Sequence, residues 1–281
     1  MAQLPRHNSA LEELIYRSYE VKEAKKPMRL TRIGASGIGE ECVRAIWYDW
    51  RGFFNGSFSG RILRLFQTGH LQEDRIVQDL KNAGLEVWDR DPATGEQWVY
   101  TDGSGHFVCK PDGVVRGVPG AEKTPHLLEI KTSNVNGFKE LESRGVRVAK
   151  PEHYYQMQAG MWLAGLTRAL YVALRKDDEK YYIERIEIDP KCVEDIQHKI
   201  LKLTTLSSTP PRITEKEGDW RCKFCDAKDV CWKKEKPLLN CRTCEYALLL
   251  PEGGWQCAKL AKVLTPSDQM KGCDLWSSIS I

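Results

Sequence analysis

The placement of cysteine constrains this chain more than any other feature. Seven of the ten cysteines lie in the last 60 residues, beyond the turn-forming run Ser207-Ser208-Thr209-Pro210-Pro211. The stretch from Met1 to His7 lacks the apolar core of a signal peptide, and no apolar run in the sequence approaches the roughly 18 residues of a membrane span. A cytoplasmic protein without membrane contact is therefore expected. Cytosolic thiols are kept reduced, so the cysteines point to metal ligation rather than to a disulfide framework. Cys222-Lys223-Phe224-Cys225 with Cys231 gives C-x2-C-x5-C, and Cys241, Cys244, Cys257 and Cys273 give C-x2-C-x12-C-x15-C. The second set reads as a zinc-ribbon-like module over 237–281, since a tail of roughly 40 residues holds no core without a staple. Cys109 and Cys192 read as inert apolar positions.

Ahead of the linker the pattern is that of an α/β protein. Helical spacing is expected over 10–26, 38–51 and 62–82. Short β-like pieces follow at 85–88, 97–101, 105–110, 113–115 and 126–131. A helix over 152–165, strands over 169–174 and 181–188, and a helix over 190–206 complete the order. The expected architecture is a mixed central β-sheet flanked by helices on both faces, over residues 1–206. Residues 207–236 then form a linker and cysteine segment. With 281 residues the chain can bury a sizeable core. Its 42 basic against 39 acidic residues create no global field, so any surface for nucleic acid must be local.

Within that frame Pro111-Asp112-Gly113 precedes Glu129-Ile130-Lys131. Residues i and i+2 of a strand share a face, so Glu129 and Lys131 point together and Ile130 turns its side chain away, leaving its backbone carbonyl available. Two carboxylates and an ammonium on neighbouring strands suit Mg2+ or Mn2+, which bind few carboxylates and keep waters for chemistry on a phosphate. The bland alternative is a turn aspartate beside an exposed edge-strand pair.

Together with Gly69-x-x-x-Glu73 upstream and Gln158-x-x-x-Trp162 downstream, these residues resemble the PD-(D/E)XK nuclease superfamily, in particular its lambda-exonuclease/YqaJ and RecB-like branches. The resemblance covers roughly residues 30 to 231 and implies a restriction-endonuclease-like core. It implies that Asp112 and Glu129, with the Ile130 carbonyl and Glu73, hold the catalytic ion, with His70 competing for the place of Glu73. Lys131 would position or activate the attacking water, and Gln158 would turn its amide toward Lys131 or the scissile phosphate, with the Trp162 ring toward DNA. Tryptophan stands where the family pattern has tyrosine. The segment after Lys131, carrying Lys139, Arg144, Arg147 and Lys150, reads as a loop that either contacts phosphates or is merely solvated.

The trio Cys222, Cys225 and Cys231 resembles that of iron-sulfur RecB-like nucleases, CRISPR-associated ones included, with Cys42 as the distant fourth ligand. That implies a 4Fe-4S cluster, and a structural zinc is the alternative. The function implied is a Mg2+- or Mn2+-dependent DNA exonuclease acting on duplex ends or single strands in recombination, repair or end resection. By analogy it would be phage-encoded, oligomeric, and partnered by a single-strand annealing protein. A CRISPR-adaptation-type nuclease or endonuclease, a catalytically silent DNA-binding scaffold, and a cytosolic redox protein are the other readings.

Overall fold

The computed structural model describes residues 9–26, 32–233 and 235–280, so the segment from Met1 to His7 lies outside the described residues. In chain order the elements are α1 (Ser9–Ala24), β1 (Ile33–Gly34), α2 (Ala35–Ile38), α3 (Val43–Arg51), α4 (Gly60–Asn82), β2 (Glu86–Trp88), β3 (Tyr100–Thr101), β4 (Phe107–Cys109), β5 (Gly113–Arg116) and β6 (His126–Ser133). There follow α5 (Val135–Arg144), α6 (Val146–Ala149), α7 (Pro151–Ala164), β7 (Arg168–Arg175), β8 (Tyr181–Glu187) and α8 (Pro190–Thr205). The cysteine-rich part adds α9 (Lys228–Trp232), β9 (Ala247–Leu249), β10 (Trp255–Cys257), β11 (Lys262–Val263) and α10 (Pro266–Lys271). None of the helices is long and apolar enough to cross a membrane, among the described residues.

Five strands form the main sheet in the order β2-β5-β6-β7-β8; β6 and β7 run parallel and the other pairs antiparallel. Alternation along β6 divides the core between its two faces. Leu128 and Ile130 join Ile76 and Val77 of α4 on one side, with Val115, Leu170 and Val172. Leu127 turns to the other side with Ala169 and Tyr171 and packs with Met157 and Met161 of α7. Gly160 permits the close approach of α7, because a Cβ there would lie 2.6 Å from Leu127 Cδ2. The result is a mixed α/β architecture of mixed sheets flanked by helices.

Three details depart from expectation. The strands over 97–110 do not join the main sheet; β1, β4 and β3 form a small sheet of their own. Pro111 lies between β4 and β5, and a residue without an N–H cannot continue a ladder. The helix expected over 38–51 is broken after Ile38, and Cys42 caps the restarted α3. The loop expected after Lys131 is helical: Asn134 caps α5, its side chain accepting from Gly137 N at 2.8 Å, and α6 follows directly.

The C-terminal part packs back on the main body. Asn240 Nδ2 donates to Gly52 O at 2.8 Å and Gly253 N to Ser104 O at 2.9 Å. Gly105, at φ +71°, faces this contact, where a Cβ would meet Glu252 C at 2.4 Å. Trp255 is buried 5.3 Å from Trp50, and the buried guanidiniums of Arg51 and Arg242 lie over its ring at 5.2 and 4.9 Å. Burial pulls both arginines down to about 10.

Candidate active site

Asp112 stands just before β5, and its neighbours are set by β6. Its backbone N donates to Leu128 O at 3.2 Å, and its Oδ2 accepts from Ile130 N at 2.6 Å. Glu129 and Lys131 share the face turned toward α7, while the Ile130 side chain is 1% exposed in the core on the α4 side. Lys131 Nζ donates to Glu129 Oε1. Glu129 is 1% exposed, and its Oε2 has no hydrogen-bond partner among the described residues.

Burial drives the Asp112 carboxyl up to about 8, and the Glu129 charge adds to the push. Burial also raises Glu129, against the pull of Lys131. For Lys131 burial disfavours the charge, but the carboxylates of Glu129 and Asp112 outweigh it and keep the ammonium protonated. This is an acid-rich pocket: the buried Glu129 carboxyl and the half-buried Asp112 carboxyl stand near one ammonium, and one oxygen has no donor among the described residues. Groups so arranged bind protons or cations strongly, because either relieves the repulsion that burial magnifies.

Two residues that the sequence reading missed complete the wall. His153 of α7 places Nδ1 2.8 Å from Tyr171 Oη, and Tyr171 is the register partner of Glu129 across the parallel pair β6–β7. Burial lowers His153 to about 3, helped by the charges of Lys131 and Lys150, so its ring is neutral. Burial and the Glu129 charge hold the Tyr171 phenol protonated. The signal for His153 was its helical face: it lies four and seven residues before Met157 and Gly160, which pack toward the sheet.

No family model matches the sequence, and no curated protein matches it. Solved structures similar to the chain include an alkaline exonuclease from Laribacter hongkongensis, 20% identical over 66% of this chain and 90% of that one, with a TM-score of 0.45. A phage-related exonuclease from Haemophilus somnus 129PT is 13% identical over 65% of this chain and 94% of that one, with a TM-score of 0.43. At such identities and TM-scores the likeness carries no argument about this chain's chemistry, which has to be read from its own side chains.

The other nominated residues divide sharply. Glu73 lies one turn before Ile76 and Val77, which face the sheet, and its charge is felt at Asp112, Glu129 and Lys131. His70 is exposed, with its Nδ1 3.3 Å from Glu73 Oε2. Gln158 is not directed at Lys131. Its Nε2 donates to Glu187 O at 2.9 Å and its Oε1 accepts from Asp189 N at 2.8 Å, so the amide ties α7 to the β8–α8 junction. Trp162 does not face outward; it stacks on Phe107 with centroids 6.4 Å apart, held there by the apolar core.

Of the four basic residues after Lys131, Lys139 and Arg144 are exposed on α5, and Arg147 is tied to Asp189 at 3.2 Å. Lys150 comes nearest the site, since its charge acts on His153.

Each cysteine quartet surrounds one small cavity: Cys42, Cys222, Cys225 and Cys231 in one case, Cys241, Cys244, Cys257 and Cys273 in the other. Arg44 Nη1 donates to Cys231 Sγ at 3.5 Å. The eight thiols are free, and no group of three or more His, Cys, Asp or Glu side chains among the described residues forms a ready-made cage for an ion. The metal-bound C-terminal module expected from sequence is thus seen as a thiol-lined cavity within a folded segment. Cys109 and Cys192 are buried apolar positions, Cys109 beside the acidic pair.

Proposed function

We propose that this chain is a Mg2+- or Mn2+-dependent deoxyribonuclease of PD-(D/E)XK type, an exonuclease that hydrolyses phosphodiester bonds in DNA. One observation carries the reading: a fully buried Glu129 with an unpartnered Oε2, beside a carboxyl pushed up to about 8 and a lysine that stays charged. Evolved cores rarely leave such an oxygen unmatched, and a hard divalent cation satisfies it. Asp112, Glu129 and the Ile130 carbonyl would hold the ion, with Glu73 approaching from α4. Two carboxylates suffice for Mg2+, which takes its remaining ligands from water and substrate phosphate.

When bound, the ion supplies Lewis-acid polarisation of a phosphoryl oxygen and makes water a better nucleophile. Lys131 offsets negative charge growing on the phosphate and orients the water beside Glu129. Neutral His153 and protonated Tyr171 fix the wall behind Glu129 without adding a competing charge. The thiol quartets are proposed to hold a 4Fe-4S cluster at Cys42, Cys222, Cys225 and Cys231, with zinc as the alternative, and zinc at Cys241, Cys244, Cys257 and Cys273. Four thiols lining one cavity suit either metal by donor type, and their place outside the acidic site fits a stapling role.

The test is digestion of linear and closed-circular DNA with Mn2+ by the wild-type chain, Glu129→Gln and Lys131→Ala. Expected is Mn2+-dependent loss of the linear DNA only, reduced by at least about 10²-fold in either variant with the circular dichroism spectrum retained. Undiminished digestion by both variants would remove the assignment.

A further inference from the structure

A cleft of about 1080 Å³ lies between the β1–α2 segment and the Trp220–Cys225 turn, with Lys110 and Gln156 also lining it. Lys110 stands two residues before Asp112, so their Cα atoms are no more than about 7.6 Å apart. Trp220 and Phe224 line the same cleft, yet are 78% and 86% exposed, values at which large rings gain little from their own fold. Lys223 lies over the Phe224 ring at 5.3 Å, and Arg32 also lines the cleft. Asp49 and Asp226 also line the cleft, both exposed, and repel each other.

We propose that this cleft binds single-stranded DNA, with unpaired bases stacked on Trp220 and Phe224 and the backbone held outside by Lys110, Lys223 and Arg32. The carboxylates of Glu40, Asp49 and Asp226 along the cleft disfavour phosphates beside them, which leaves base faces and exocyclic amines as the matching chemistry there. Arg221 is not part of the backbone contact, because Asp219 and Glu41 already hold it. A duplex fits poorly, since its base faces are covered by their neighbours, whereas every unpaired base offers a π-face to an aromatic ring. The location beside Asp112 deepens the nuclease reading and rests on it; the binding itself does not.

Fluorescence anisotropy of a labelled thirty-nucleotide oligo-dT tests this in the full-length Lys131→Ala background, so that cutting does not interfere. Adding Trp220→Ala and Phe224→Ala is expected to weaken single-strand binding at least about 10-fold. Affinity for a blunt duplex should change less than about 2-fold, and Trp220→Phe with Phe224→Tyr should restore the single-strand affinity. Unchanged single-strand affinity without the rings, or an equal loss for duplex, overturns the proposal. A chain that cuts no DNA yet loses single-strand binding with the rings removes only the nuclease reading.

Discussion

At Asp112, Glu129 and Lys131 the chain sets one buried and one half-buried acid near one ammonium and leaves Glu129 Oε2 without a donor among the described residues. At Arg51 and Arg242 it buries two cations and surrounds them with ring faces and carbonyls, although Arg51 Nε too has no hydrogen-bond partner among the described residues. Arg51 lies over the Trp47 ring at 4.7 Å and donates to Arg242 O at 3.0 Å, and Arg242 donates to Trp50 O at 3.1 Å and to Gln269 Oε1 at 2.9 Å. Ring faces and carbonyl oxygens stabilise a guanidinium without adding another ionised group. The arginine cluster joins the C-terminal part to α3, and its geometry is that of a structural joint. The acidic cluster leaves a buried carboxylate oxygen without a donor among the described residues, and the proposed cation site rests on that difference.

The largest expected effect that separates the two clusters is a dependence on pH. Folded Asp112 holds its proton up to about 8, whereas an unfolded aspartate loses it near 3.9. The resulting stability is fully present below about pH 4 and is lost as pH rises through about 8. In cation-free buffer, urea midpoints should fall over that window by an amount equivalent to at most about 6 kcal/mol. Asp112→Asn should flatten the slope. Equal slopes in wild type and variant would erase the distinction between the clusters. A smaller effect belongs to the joint: Arg242→Ala should cost about 3 kcal/mol by urea denaturation, through the void beside Trp255 and the lost cation–π contact. Mn2+-dependent digestion by the folded fraction should be unaltered, and a matching loss of activity would mean the joint is part of the site.

Strand β6 was legible because alternation is a local property: Glu129 and Lys131 share a face whatever surrounds them. Helix α7 was legible as a helix but not in its contacts. Periodicity places Gln158 on a face, yet the groups that take its amide, Glu187 O and Asp189 N, come from a junction some thirty residues on, which no local pattern reveals. Trp162 failed for the same reason, since Phe107 reaches it through the separate small sheet. The helices α5 and α6 were hidden by Gly137 and Gly145, although Asn134 three residues before Gly137 was a capping signal in plain view. Spacing within each segment grouped cysteines that line a common cavity, while the partnership of Cys42 with the distant trio came from the family resemblance and not from spacing.

The most direct measurement is calorimetric titration of Mn2+ into the wild-type chain and Glu129→Gln at neutral pH. The expected result is saturable binding to the wild type, accompanied by release of the Asp112 proton, and no such binding to the variant. Equal binding by both chains, or none by either, would contradict the assignment of Asp112, Glu129 and Lys131 as a divalent-cation site.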